Sequence, residues 1–213
     1  MLAAFTAGLL LITISELGDK TFFIAVILAM RHSRRLVFCG VIAALAAMTV
    51  LSVLLGQIVS LLPKHYIDFG EIALFLGFGL KLLYDAYRMP AKSENTGEKE
   101  AAEALKQQNQ KETASLTATV MSKSPTLGIL AQSFFMTFIA EWGDRTQIST
   151  IALAASNQPV GVTTGAILGH GICTAIAVIG GRLIAGRISE RWITAIGGVL
   201  FLIFGAVAVI EGV

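Results

Sequence analysis

One six-residue pattern occurs twice in this chain, each time in the middle of an apolar run long enough to cross a membrane. The copies are Glu16-Leu17-Gly18-Asp19-Lys20-Thr21 and Glu141-Trp142-Gly143-Asp144-Arg145-Thr146. A charged side chain at the centre of a spanning helix opposes insertion by roughly 2.5 to 3.5 kcal/mol. The six charged residues of the two patterns would together oppose it by about 15 to 20 kcal/mol if unpaired. A membrane chain that keeps them there has a use for them.

The 213 residues are 55% hydrophobic, and the apolar residues come in long runs instead of alternating. That pattern predicts an all-α polytopic membrane protein, with the lipid bilayer as its surroundings. A formal charge of +2 carries no nucleic-acid signal. Cys39 and Cys173 have no metal-type spacing and are read as small buried apolar side chains. The first residues lack a basic stretch, so no cleaved signal peptide is expected.

Six spans are predicted: about 2–30, 36–62, 67–87, 127–155, 160–185 and 192–210. The first, at 1.5 Å per residue, would reach about 43 Å against a hydrocarbon core of about 30 Å, so it is expected to tilt or break, with Gly18 a place to loosen. Residues 89–126 are rich in Lys, Glu, Gln, Ser and Thr and read as a polar, solvated, disordered connector. The flanking parts, 1–88 and 127–213, are copies. At an offset of 125, Glu16 falls on Glu141, Gly18 on Gly143, Asp19 on Asp144 and Gly40 on Gly165; at 126, Phe75 falls on Phe201 and Gly79 on Gly205.

Three spans per copy is odd, so the second copy enters the membrane from the other side, giving two inverted three-helix repeats. Twelve of the Lys and Arg residues, from Arg31 to Arg191, fall in loops on one side, against Lys64 on the other. The positive-inside rule puts the connector in the cytoplasm and both termini outside.

In a continuous helix Glu16 and Asp19 project to one side, as do Glu141 and Asp144. Inverted repeats bring such midplane groups together at their pseudo-two-fold axis. Four carboxylates with Lys20 and Arg145 sum to −2, matching one divalent cation. Thr21, Thr146 and Gln147 add oxygen, as do Thr13 and Thr137 and any unwound carbonyls. Neither pattern holds Cys or His, so a hard cation such as Ca²⁺ or Mn²⁺ is favoured over Zn²⁺ or Cu⁺. Crowded carboxylates out of water should take up protons once the metal leaves, which is the basis of divalent cation/proton exchange. Lys20 and Arg145 are poor cation ligands; their simplest role is i, i+4 ion pairing with Glu16 and Glu141. His170, whose counterpart is Leu45, is a weaker candidate.

The doubled E-L-G-D-K-T and E-W-G-D-R-T, each in the leading helix of a three-helix half, resembles the Gdt-type membrane transporter family, which includes Golgi manganese/calcium transporters and chloroplast and cyanobacterial manganese transporters. The resemblance covers nearly everything but the connector. It implies a secondary transporter, not an enzyme, with no cofactor. Mn²⁺ or Ca²⁺ would be the substrate, protons the coupling ion, and Glu16, Asp19, Glu141 and Asp144 the ligands. The short N-terminus without a transit peptide looks bacterial, and within this family cyanobacterial, so a plasma or thylakoid membrane is expected, and a homodimer is compatible with the resemblance. Two rivals remain: an exporter of amino acids or other small cations, and an intramembrane aspartyl protease using Asp19 and Asp144.

Overall fold

In the computed structural model, residues 1–89, 99, 101–103, 105–106, 124–184 and 190–212 are described, and the regular structure among them is helical. Among the described residues the helices run in order α1 (Leu2–Glu16), α2 (Lys20–Arg31), α3 (Arg34–Val59), α4 (Lys64–Arg88), α5 (Pro125–Glu141), α6 (Arg145–Ser156), α7 (Pro159–Ile184) and α8 (Glu190–Gly212), and the described residues between 99 and 106 are helical too. Pro125 starts α5 at a position where its missing N–H costs nothing.

The expected first span is two helices. α1 and α2, with 15 and 12 residues, are about 22 and 18 Å long, each short of the roughly 30 Å hydrocarbon core. α5 and α6 repeat this arrangement. Among the described residues three helical stretches, Arg34–Val59, Pro159–Gly180 and Arg191–Ile210, are long and apolar enough to cross a membrane, and α1 is a shorter apolar helix. α4 has the length, with 25 residues, but carries Asp68, Glu71, Lys81 and Asp85. Leu54, Ile58, Phe135, Ile139, Ile179 and Ile203 face outward, as lipid contact demands. Cys39 joins them: it is exposed, not buried as its residue type suggests, because it lies on the outer face of α3, while Cys173 is buried as expected.

The halves interlock through backbone contacts that small residues permit. α1 lies along α7, and a Cβ at Gly165 would collide with the Phe5 carbonyl. α3 lies along α5, and a Cβ at Gly40 would sit 2.8 Å from the Leu130 carbonyl. The offset of 125 carries Gly40 onto Gly165 and Phe5 onto Leu130, so one contact occurs twice with the halves exchanged. α4 and α8 run antiparallel, with Gly79 against Leu202 and Gly205 against Leu76. At an offset of 126 these two contacts also exchange.

Met1 lies beside Gly161, and Ala3 shares a cavity with Lys64, so α1, α4 and α7 begin at one end of the bundle, the terminal end. Residues 32–33, 89 and 124 lie at the opposite, connector end. Two apolar clusters divide the interior along this direction. Phe22 to Ala29 of α2 pack with Val37 and Val41 of α3, Met136 of α5 and Ala177 of α7 toward the connector end. Ala4, Leu11, Val53, Phe75, Leu153, Val162 and Phe201 pack toward the terminal end. Ala101 and Leu105 of the connector, four residues apart, are buried in the first cluster, so the connector is not solvated at these two positions. Most of 89–126 lies outside the described residues, as do the side chains of Arg182 and Arg187.

Candidate metal site

Between the two clusters α1 and α5 end in the same turn. Leu17 has φ −65° and ψ 114°, Gly18 has φ +81°, and Asp19 has φ −73° and ψ 169°. The corresponding angles are −65° and 115° at Trp142, +78° at Gly143, and −73° and 165° at Asp144. The Asp19 N–H donates to the Glu16 carbonyl at 3.3 Å, and the Asp144 N–H to the Glu141 carbonyl at 3.1 Å. An i to i+3 bond with these angles is a type II turn, whose third residue needs positive φ and hence glycine. The pattern E-x-G-D is therefore the sequence of the turn itself. The carboxylates meet across its ends, and not along one face of a continuous helix.

The turns bring acids from both halves together. Ligand oxygens of Glu16, Asp19 and Glu141 all lie within 4.8 Å of one another. Glu16 and Glu141 are only 3% and 2% exposed. The Thr21 hydroxyl donates to Glu16 Oε2 at 3.0 Å, and the Thr146 hydroxyl to Glu141 Oε2 at 3.2 Å, the same bond made twice. Glu16 Oε1, Glu141 Oε1 and Asp19 Oδ2 are buried without a hydrogen-bond partner among the described residues, as are the hydroxyls of Thr13 and Thr137. α1 and α5 also point their C-terminal, partially negative ends at this place.

Asp144 stands slightly apart. It is half-buried, accepts a 3.5 Å bond from Thr146, and lines a cavity of about 240 Å³ with Asp19, Lys20, Arg145, Ser15 and Thr194. Asp19 belongs to both places and links the cavity to the buried glutamates. Arg145 Nη2 lies 3.5 Å from Asp19 Oδ1, an ion pair between the halves. This replaces the expected pairing of Arg145 with Glu141: α5 ends at Glu141 and α6 begins at Arg145, so no helical i, i+4 geometry joins them. The same break separates Glu16 from Lys20.

Gln147 serves the turn more than the site. Its Oε1 accepts the Gly143 N–H at 2.6 Å and its Nε2 donates to Met48 Sδ at 3.1 Å. Other residues near the acids carried no signal in the motif. Glu16 and Thr21 share a small void of about 10 Å³ with His170, Cys173 and Thr174 of α7. His170 is buried with Nδ1 unpartnered among the described residues, and Cys173 Sγ donates to the Thr13 carbonyl at 3.2 Å. His170 is the weaker candidate named from the sequence; for Cys173 and Thr174 only the spacing of small residues on α7, which lets it approach α1, points to their place beside the acids.

A helical bundle in which two copied halves each turn at the motif, and deliver carboxylates to one buried site, has the build of a secondary cation transporter. The chain belongs to the divalent cation/proton antiporter family GDT1, whose profile matches residues 4–90 and 129–213. This is a family of membrane transporters and not of enzymes, which removes the protease reading. A GDT1-like protein of Synechocystis is 59% identical over 208 residues, covering 98% of this chain and 97% of its own length. The chloroplastic PAM71-homolog of Arabidopsis thaliana is 42% identical, covering 96% of this chain and 58% of its own. The GDT1-like protein 3 of Oryza sativa is 44% identical over 94% of this chain and 71% of its own. No solved structure matches the chain.

Proposed function

We propose that this chain exchanges Mn²⁺ or Ca²⁺ for protons across a membrane, with Glu16, Asp19, Glu141 and Asp144 as the metal ligands. The observation that carries the reading is the trio Glu16, Asp19 and Glu141, drawn from both halves, with one unpartnered buried oxygen on each. Carboxylate and hydroxyl oxygens suit hard divalent cations. Three carboxylates and the Arg145 guanidinium sum to −2, which one such ion neutralises. Two charges 4.8 Å apart repel by about 3.5 kcal/mol at an effective dielectric of about 20, so the trio without metal carries about 10 kcal/mol of repulsion that protons relieve. Such a site holds metal or protons in turn. Thr21 and Thr146 orient the glutamates, Gln147 braces the second turn, and Lys20 and Arg145 line the approach.

In this reading α1 with α2, and α5 with α6, are each one broken span. With α3, α4, α7 and α8 they make six, arranged as two inverted repeats, 1–88 and 127–213, joined by the connector 89–126. The excess of Lys and Arg in the loops of the connector end makes that end cytoplasmic and the termini external. Metal leaves the cytoplasm against returning protons, in a bacterial plasma or thylakoid membrane.

The test is uptake of Mn²⁺ and Ca²⁺ into proteoliposomes with lumenal pH recorded together. Metal flux opposed by proton flux is expected, falling by about 100-fold or more in Glu16→Gln and in Glu141→Gln, the scale of removing one member of a buried charge cluster. No divalent flux under any proton gradient would overturn the reading and leave amino acid export to be tested.

A further inference from the structure

The cavity beside Asp19 and Asp144 has a counterpart. A second cavity, of about 340 Å³, lies toward the terminal end and is lined by Thr6, Lys64, Asp68, Glu71, Phe75 and Ala208 among others. The first is lined on its far wall by Leu82 of α4 and by Thr194, Gly197 and Phe201 of α8. Adding 126 to Asp68, Glu71, Phe75 and Leu82 gives Thr194, Gly197, Phe201 and Ala208. Four positions of one wall thus fall on four positions of the other. Since α4 and α8 are antiparallel, the two cavities lie toward opposite ends of the bundle.

They meet at an aromatic pair. Phe201 lines the first cavity and Phe75 the second. Their rings are 5.9 Å apart in an edge-on contact, and each residue is 1% exposed. Phe204 packs on Phe75 and Phe78 on Phe201, both at 5.8 Å, and the offset of 126 exchanges these two contacts. The barrier is therefore as two-fold as the cavities it separates. Its two sides differ at the motif: the first cavity reaches Asp19 and Asp144, whereas no motif acid lines the second.

We propose that these cavities are the two vestibules of one pathway, and that the Phe75–Phe201 pair is the barrier that keeps the terminal-end vestibule from the motif acids. A cation stripped of water finds no oxygen among these rings, so the apolar pair is impassable to it until the rings part. The structure is then the state open toward the connector end. The opposite state needs α4 and α8 to shift so that Asp68 and Glu71, in place of Thr194 and Gly197, flank the route to the acids. This rests on the exchanger reading above, but its test does not depend on metal flux.

Thr194→Cys, in a chain whose own Cys39 and Cys173 are replaced by Ala and Ser, is exposed to a membrane-impermeant thiol reagent from each side of the membrane in turn. Labelling from the connector side only is expected with both phenylalanines present. In Phe75→Ala/Phe201→Ala, labelling from the terminal side should rise by about ten-fold or more, each factor of ten corresponding to 1.4 kcal/mol off the access barrier. Phe75→Leu/Phe201→Leu, which keeps apolar bulk and controls for folding, should stay near the parent. Phe135→Ala, on the outer surface, should change nothing. Unchanged terminal-side labelling in the double alanine variant overturns the barrier, even if metal flux is normal. An equal rise in the leucine or Phe135→Ala variants also overturns it, since general loosening would then be the cause. Absent divalent flux with the expected labelling pattern would sink the exchanger reading and leave the barrier standing.

Discussion

The turn at Glu16 and the turn at Glu141 have nearly the same backbone and the same threonine-to-glutamate bond, yet their surroundings differ. Around Glu16 lie His170, Cys173 and Thr174; at the positions 125 residues earlier stand Leu45, Met48 and Thr49. Gln147 braces the second turn and reaches Met48, and its counterpart in the first half is the apolar Phe22. Asp19 joins both glutamates while Asp144 faces the cavity. The motif fixes the turn, and the other half of the chain decides what the turn is surrounded by.

The strongest way to break this comparison is to neutralise its unequal members. Asp19→Asn should weaken Mn²⁺ binding, measured by calorimetry or metal-sensitive fluorescence, by about 100-fold, since it removes a trio carboxylate and leaves Arg145 without its partner. Asp144→Asn should weaken it by clearly less. Equal losses would mean that the half-buried Asp144 contributes as fully as Asp19 to the bound state.

The equal members should respond equally. Thr21→Val and Thr146→Val each delete one hydrogen bond to a glutamate, a change of about 1.5 to 3 kcal/mol for a bond to a charged group. Each should therefore raise the metal concentration for half-maximal flux by about ten-fold or more, and a large difference between them would show that the glutamates are not equivalent in the transport cycle.

The smallest effect is expected in stability. Both turn glycines have positive φ, which costs an alanine about 1 to 2 kcal/mol. At Gly143 a Cβ would meet open space, but at Gly18 it would lie 3.2 Å from Ile193 Cδ1. Melting in detergent should fall for both alanine variants and further for Gly18→Ala.

Much of this was legible in the residues: the helical class, the duplication, the break at Gly18 and the gathering of acids from both halves. The reasoning from helical spacing was not sound at the motif. It placed Glu16 and Asp19 on one helical face and paired each cation with the glutamate four residues before it. Because the chain turns at Leu17 and Gly18, the carboxylates converge by another route, and Arg145 reaches across to Asp19. That pair, the contact of Gln147 with Met48 and the approach of His170 all depend on how two distant segments pack, which periodicity within one segment does not encode. The outward face of Cys39 is the same lesson on a smaller scale: residue type gave burial, and the lipid-facing side of α3 gave exposure.

The exchanged glycine contacts, Gly40 with Leu130 and Gly165 with Phe5, are those of an isologous interface, the kind that joins identical subunits in a two-fold dimer. Here the subunits are halves of one polypeptide. In a true homodimer every substitution appears at two symmetric places, so a side chain that suits one must be tolerated at the other. Fusion lifts that restriction: a histidine can stand at 170 while its twin position 45 keeps leucine. One half can then specialise without a matching change in the other.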